Sequence, residues 1–415
     1  MIEHRDGTCF VEDVSLEHIA ERTGTPVFVY SSAHFTRQYQ ALTSALSGLD
    51  HRIYYAVKAN SNLSVMQLFQ SLGAGFDIVS GGELERALKV GAPPEAIVFS
   101  GVGKRVEEID FAIKLGIGCF NVESAAELDR IAERAKLLHR TANIALRINP
   151  DIDAQTHPYI STGLKENKFG VPIEQAIELY TRASQNSVFN IIGIDCHIGS
   201  QIAEPKPLLE AVDALLQLRE RLATLGIPVR HLDLGGGLGI AYQNEPDFDV
   251  AAYGLALRSR LLRKNVSIGL EPGRFLVGNG GLLLTRVEYL KPAARDSDKH
   301  FAVVDAAMTE IIRPALYSAW HDVIPVRPST SPVKVWDVVG PVCESGDFLA
   351  RARAMALDND SLLAVMSAGA YCFVQSSNYN TRPRPPEVLV SGDAFKVVRQ
   401  RETYRDLLAR EEECL

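Results

Sequence analysis

The chain has 415 residues, 46% hydrophobic and 23% charged, a globular composition long enough for one large domain and a smaller one. Its 43 Lys and Arg against 51 Asp and Glu leave a net charge of -8, spread along the chain, with no basic stripe for nucleic acid and no charged tail for a tether. The start MIEHRDGTCF shows no basic n-region followed by an apolar core, no apolar run reaches the roughly 18 residues that cross a membrane, and the six cysteines show no metal-ligand spacing. These features argue against a disulfide scaffold or a zinc site, and they predict a cytoplasmic protein with reduced thiols and a small-molecule partner.

In chain order, the run TPVFVY (25–30) precedes any regular pattern, and residues 1–29 are assigned to a second domain. From residue 53, eight β-rich runs follow: IYYAVK (53–58), FDIVS (76–80), IVFSG (97–101), CFNVES (119–124), IALRIN (144–149), IIGIDCHIGS (191–200), HLDLGGG (231–237) and SIGLEPGR (267–274). Between them lie segments such as GGELERALKVG, SAAELDRIAERAKLL and PLLEAVDALLQLRERLATLG, with apolar residues at helical spacing and charges opposite. Eight strands alternating with helices predict an α/β fold, a closed (β/α)8 TIM-type barrel over 30–278. After residue 280 the runs GLLLTRVEYLK, HFAVVDA, VKVWDVVGPVC, LLAVMSAGAY and EVLVSG are strand-like without long helices. They predict a mostly antiparallel β domain over 1–29 and 279–415.

Barrel enzymes act at the C-terminal ends of their strands. Here those ends carry Lys58, Asp77, Ser80, Asn121, Glu123, Arg147, Asn149, His197, Ser200, Asp233 with Gly235 to Gly237, and Glu271 with Arg274. Lys58 follows a mostly apolar strand, so its amine is either a solvated strand end or a partly desolvated nucleophile. The glycines after the seventh strand and EPGR after the eighth fall where barrels bind phosphate. His197 is a core histidine, a metal ligand or a flat ring against a cofactor, with metal ranked lowest because no partner stands at ligand spacing. Glu271 is costly to bury unless it meets a cation or a protonated ring nitrogen. An amine, a phosphate cradle, a flat ring and a buried carboxylate together suit pyridoxal 5'-phosphate.

The motifs YYAVKANSN, GFDIVSGGEL, TGLKENKFG, CHIGSQ, GGGLGI, EPGR, RPALYSAWH, GPVCESGD and SSNYNTRPRPPEVLV resemble, in order, those of the diaminopimelate decarboxylases, of the alanine racemase and ornithine decarboxylase fold group. The resemblance implies decarboxylation of meso-2,6-diaminopimelate to L-lysine, with Lys58 carrying pyridoxal phosphate as an internal aldimine, His197 stacked on its ring and Glu271 at its pyridine nitrogen. It implies Ser200, Gly237, Glu271, Gly273, Arg274 and Tyr371 around the cofactor. Arg274, Arg313 and Tyr317 would take the distal carboxylate, Glu344 the distal amine and Tyr371 a further substrate contact. Cys343 would reprotonate the carbanion, and the segment bearing Cys343 and Glu344 would come from the other subunit of a homodimer with shared sites. Decarboxylases of ornithine, arginine, lysine or carboxynorspermidine, and a silent cofactor-binding homologue, are the competing readings. The polar stretch 151–170 is either a surface excursion or a lid.

Overall fold

The computed structural model describes residues 1–153, 168–295 and 299–415, so most of the stretch read as a lid, 154–167, lies outside the described residues. The chain forms two compact units. One comprises Gln38–Ile240 and Pro246–Phe275, the other Met1–Arg37, Ala241–Glu245 and Leu276–Leu415.

In the first unit, strands β1 (His51–Ala56), β2 (Gly75–Ile78), β3 (Ile97–Phe99), β4 (Cys119–Val122), β5 (Ala142–Asn149), β6 (Phe189–Cys196), β7 (His231–Asp233) and β8 (Ser267–Leu270) are all parallel. Each pairs with the next. β8 closes on β1, with Ile268 opposite His51 and Leu270 opposite Ile53. The predicted eight-stranded barrel is therefore present. Helices Leu63–Ser71, Gly81–Lys89, Val106–Leu115, Ala125–Leu137, Ile173–Ser184, Pro205–Thr224 and Val250–Leu261 stand between successive strands. Sequence chemistry starts several of them: Asn62, Ser80, Ser124 and Asp249 each accept a first-turn N–H through the side chain, each cap worth about 1 kcal/mol. Ser80, one of the strand-end candidates, is thus occupied by capping.

Alternation along the strands fills the barrel in layers. Tyr54, Val98, Cys119 and Ala145 pack together inside it. Gly75 leaves room for the tyrosine, since a Cβ there would lie 2.6 Å from the Tyr54 ring. Two residues further along β4 and β5, Asn121 and Arg147 belong to the next layer, which is polar and ends at the C-terminal mouth.

The second unit has a small sheet of Ile2–Arg5, Thr8–Val11 and Val14–Ser15 and a larger, mostly antiparallel one. The long strand Gly281–Lys291 is the spine of the larger sheet, pairing antiparallel with Val27–Ser31, His300–Val304 and Leu362–Val365. Val27, Val29, Leu282, Leu284, Ala364, Val388 and Val390 share one buried core with Cys9, Leu16 and Ile19. The chain is thus an α/β barrel with a separate, mostly antiparallel β unit, as the run pattern predicts.

Candidate active site

Lys58 sits in the single turn Val57–Ala59 immediately after β1. Its Nζ lies 2.5 Å from Oδ2 of Asp77 on β2, a fully buried carboxylate, while the lysine side chain remains 36% exposed. The other Asp77 oxygen is buried and has no hydrogen-bond partner among the described residues. The amine therefore reaches the barrel mouth on one side and a dry counter-charge on the other. Glu83 lies nearby, accepting the Val79 N–H at 2.7 Å; burial pushes its carboxyl up to about 7.

Around the same mouth, Arg147, Asp195 and Asp233 are register partners on β5, β6 and β7. Gly269 on β8 continues the row, and a Cβ there would stand 2.7 Å from Asp233 Oδ2, so glycine admits the carboxylate. Carboxylate oxygens of Asp195, Asp233 and Glu271 lie within 4.8 Å of one another, and all three residues are buried. Carboxylates this close in a dry layer cannot all ionise. Burial, reinforced by Asp233, raises Asp195 well above the ordinary range, and burial pushes Asp233 up to about 7. Burial first, then Asp77, Asp233 and Asp195, raises Glu271 far above it. Glu271 Oε1 accepts from Asn121 Nδ2 at 3.1 Å and Ser100 Oγ at 3.4 Å. Arg147 is tied instead to Glu123 at 2.9 Å, which also accepts the N–H groups of Gly101 and Gly170.

The loops after β6 and β7 are sewn together. Ile202 donates to the Gly237 carbonyl at 2.9 Å, Gly239 donates back to Ile202 at 3.0 Å, and the Gln201 amide both donates to and accepts from Ile240. Glycine is required where they cross. A Cβ at Gly236 would lie 2.2 Å from the Glu271 carbonyl oxygen, and one at Gly237, whose φ is +98°, would lie 2.5 Å from that of Gly199. The Gly236 N–H donates to His197 Nδ1 at 3.0 Å, so the ring proton is on Nε2. Burial, with Arg147 and Lys58 nearby, keeps this imidazole neutral. Arg274, buried after β8, donates from Nη2 to Ser200 Oγ at 3.2 Å. Lys58, His197, Ser200, Gly237, Glu271, Gly273 and Arg274 thus all lie at the strand ends of one unit.

The remaining candidates lie in the other unit. Arg313 begins the short helix Arg313–Tyr317 and is buried. Tyr371 adopts the left-handed conformation, φ +57°. Cys343 and Glu344 are exposed on a hydrogen-bonded turn. Buried Asp347 accepts the Met308 N–H at 2.6 Å and the Val342 N–H at 2.7 Å, and the Asp347 N–H donates to the Glu344 carbonyl at 3.0 Å. The thiol and the carboxylate are thereby held outward.

Comparison with known proteins places this geometry. Residues 32–278 match the family model described as pyridoxal-dependent decarboxylase, pyridoxal binding domain. A diaminopimelate decarboxylase of Pseudomonas aeruginosa is 54% identical over 408 residues, covering 98% of each chain. The chain belongs to the diaminopimelate decarboxylase family. The Neisseria meningitidis family member is 48% identical, covering 98% of this chain and 100% of its own. The crystal structure of the Helicobacter pylori diaminopimelate decarboxylase complexed with L-lysine superposes with a TM-score of 0.92 at 40% identity, covering 96% of this chain and 100% of that one.

The family's cofactor is pyridoxal 5'-phosphate, and the residues present fit it. The glycine crossing beside Ser200 and Arg274 leaves backbone room and a cation for a phosphate. A neutral imidazole suits a ring face, and a buried carboxyl with raised proton affinity suits a ring nitrogen. Ser100, Asp195, Glu83 and the Gln201 staple are members of this site that the strand-end residues did not include. Asp195 was legible in principle, because it is a charged residue near the end of a mostly apolar strand run, two residues before His197.

Proposed function

We infer that the chain decarboxylates meso-2,6-diaminopimelate to L-lysine and carbon dioxide, the last step of lysine biosynthesis, as a cytoplasmic homodimer with shared active sites. Family membership over the whole length supports the reaction. The observation that carries the choice of substrate is Arg313: its guanidinium is buried and, among the described residues, meets no carboxylate. A buried cation held only by neutral groups suits an anionic ligand. Ornithine and lysine have no second carboxylate to offer.

In this reading Lys58 carries the cofactor, with Asp77 as counter-ion whenever the amine is released. Ser200, Gly237, Gly273 and Arg274 would hold its phosphate, His197 would cover its ring, Glu271 would hold the proton at its nitrogen, and Tyr371 would serve both cofactor and substrate. Pyridoxal phosphate, when bound, supplies the sink for the electron pair left by the breaking carbon–carbon bond. Arg274, Arg313 and Tyr317 fix the distal carboxylate and Glu344 the distal amine. The Cys343 S–H gives its proton to the carbon that has lost carbon dioxide. The outward-held turn supports the service of Cys343 and Glu344 to the neighbouring subunit's site. All six cysteines are free thiols, as expected in a reducing compartment, and no helix among the described residues is long and apolar enough to cross a membrane.

Mixing two inactive variants tests this. Lys58→Ala and Cys343→Ala, combined and allowed to exchange subunits, should recover about a quarter of wild-type release from meso-diaminopimelate, as random pairing across a two-fold interface gives. Continued inactivity of the mixture would place each site within one chain.

A further inference from the structure

Arg313, which has no carboxylate partner among the described residues, is nevertheless held firmly. We propose that His321 and Tyr242 are positioning residues that aim the Arg313 guanidinium at a substrate carboxylate and so set selectivity for a dicarboxylic amino acid. The proposal rests on the reading of Arg313 given above.

His321 is completely buried. Its Nδ1 lies 2.7 Å from the Met366 carbonyl oxygen; a carbonyl only accepts, so Nδ1 carries the proton. The neutral ring then turns the lone pair of Nε2 toward Arg313, whose Nη1 donates to it at 2.9 Å. The Tyr242 ring lies against the guanidinium with its centroid 4.8 Å away, and it meets the His321 ring edge-on at 5.7 Å. Both clamps are themselves braced. The Tyr242 N–H donates to Glu245 Oε1 at 2.7 Å. The His321 carbonyl accepts from Arg353 Nη2 at 3.0 Å, and Arg353 stacks on Trp320 at 3.2 Å.

The chemistry of the clamp matters more than its rigidity. A carboxylate in place of His321 would fix the same nitrogen while cancelling the charge that should attract substrate. An imidazole acceptor and an aromatic face restrain the guanidinium and leave its positive charge uncompensated. Such a group, buried and oriented in advance, binds a carboxylate without the ordering cost that a mobile arginine incurs. A substrate lacking that carboxylate would leave the buried cation unpaired, the kind of loss that gives strong discrimination.

The test compares two ligands of the cofactor-loaded enzyme, L-lysine and 1,5-diaminopentane, the same chain without a carboxylate. In His321→Leu, lysine affinity should fall about tenfold or more, as loss of a hydrogen bond to a charged group implies, and that of 1,5-diaminopentane should change less than about twofold. KM for meso-diaminopimelate should rise by a similar factor and kcat fall much less, the signature of lost uniform binding. His321→Gln, whose amide offers one acceptor and one donor, should restore most of the lysine affinity. Tyr242→Leu should weaken lysine several-fold with no effect on the diamine, and this pair of variants decides the matter if His321→Leu does not fold. Equal weakening of both ligands, or of neither, overturns the proposal. Unchanged lysine affinity in Arg313→Leu would instead overturn the underlying assignment of Arg313.

Discussion

Replacing Lys58 with alanine is expected to lower carbon dioxide release from meso-diaminopimelate by at least about 10³-fold, the scale on which positioned catalytic groups act. The amine is delivered by the turn that ends β1 and lies 2.5 Å from Asp77 Oδ2. Alanine removes the only nucleophile of the turn and strands a fully buried carboxylate. Lys58→Arg separates the two effects. It keeps a cation for Asp77 but offers no amine, so it should be as inactive as the alanine variant while melting closer to wild type. Both variants should leave added cofactor reducible by borohydride only in free form, whereas the wild-type chain should retain it on the peptide containing Lys58. Turnover within tenfold of wild type in either variant would remove Lys58 from the chemistry.

Glu271→Gln is expected to lower kcat on the order of 100-fold, the kinetic equivalent of losing a charged hydrogen bond worth about 1.5–3 kcal/mol. Burial, reinforced by Asp77, Asp233 and Asp195, raises the proton affinity of the wild-type carboxyl. Glutamine preserves size and the contacts with Asn121 and Ser100, yet it cannot exchange a proton with a ring nitrogen. Cofactor affinity should therefore change much less than kcat, and the pH dependence of the bound cofactor's absorbance should shift. A variant with both kcat and that absorbance profile unaltered would dissociate Glu271 from the cofactor's electronics.

The barrel was legible because each of its strands is a short apolar run closed by a polar residue, and those closing residues are the mouth of the barrel. Lys58, His197, Glu271 and the glycines stand there because the chain must end a strand and bind something at the same point. The β unit was less legible. Phe348–Met355, FLARARAM, is a strand that pairs with Lys334–Val339, yet its Ala, Arg, Leu and Met residues favour helix. Cross-strand packing outweighs that preference. Ala394–Arg399 and the helix Tyr404–Glu412 carry too little apolar patterning to stand out. The role of His321 could not be read at all, since its partners are Arg313, eight residues away, and Met366, 45 residues away, and only folding joins them. Likewise the close approach of Asp195, Asp233 and Glu271 arises from register between distant strands.

The most direct test of the central claim is carbon dioxide release by the purified, pyridoxal phosphate-loaded chain on meso-diaminopimelate, ornithine, arginine and lysine separately, with chiral analysis of the product. Release from meso-diaminopimelate alone, yielding L-lysine, is the predicted result. Release from one of the monocarboxylates instead would keep the barrel, the cofactor and Lys58 but contradict the roles of Arg313, Tyr317 and Glu344, and release from none would mark a silent member of the family.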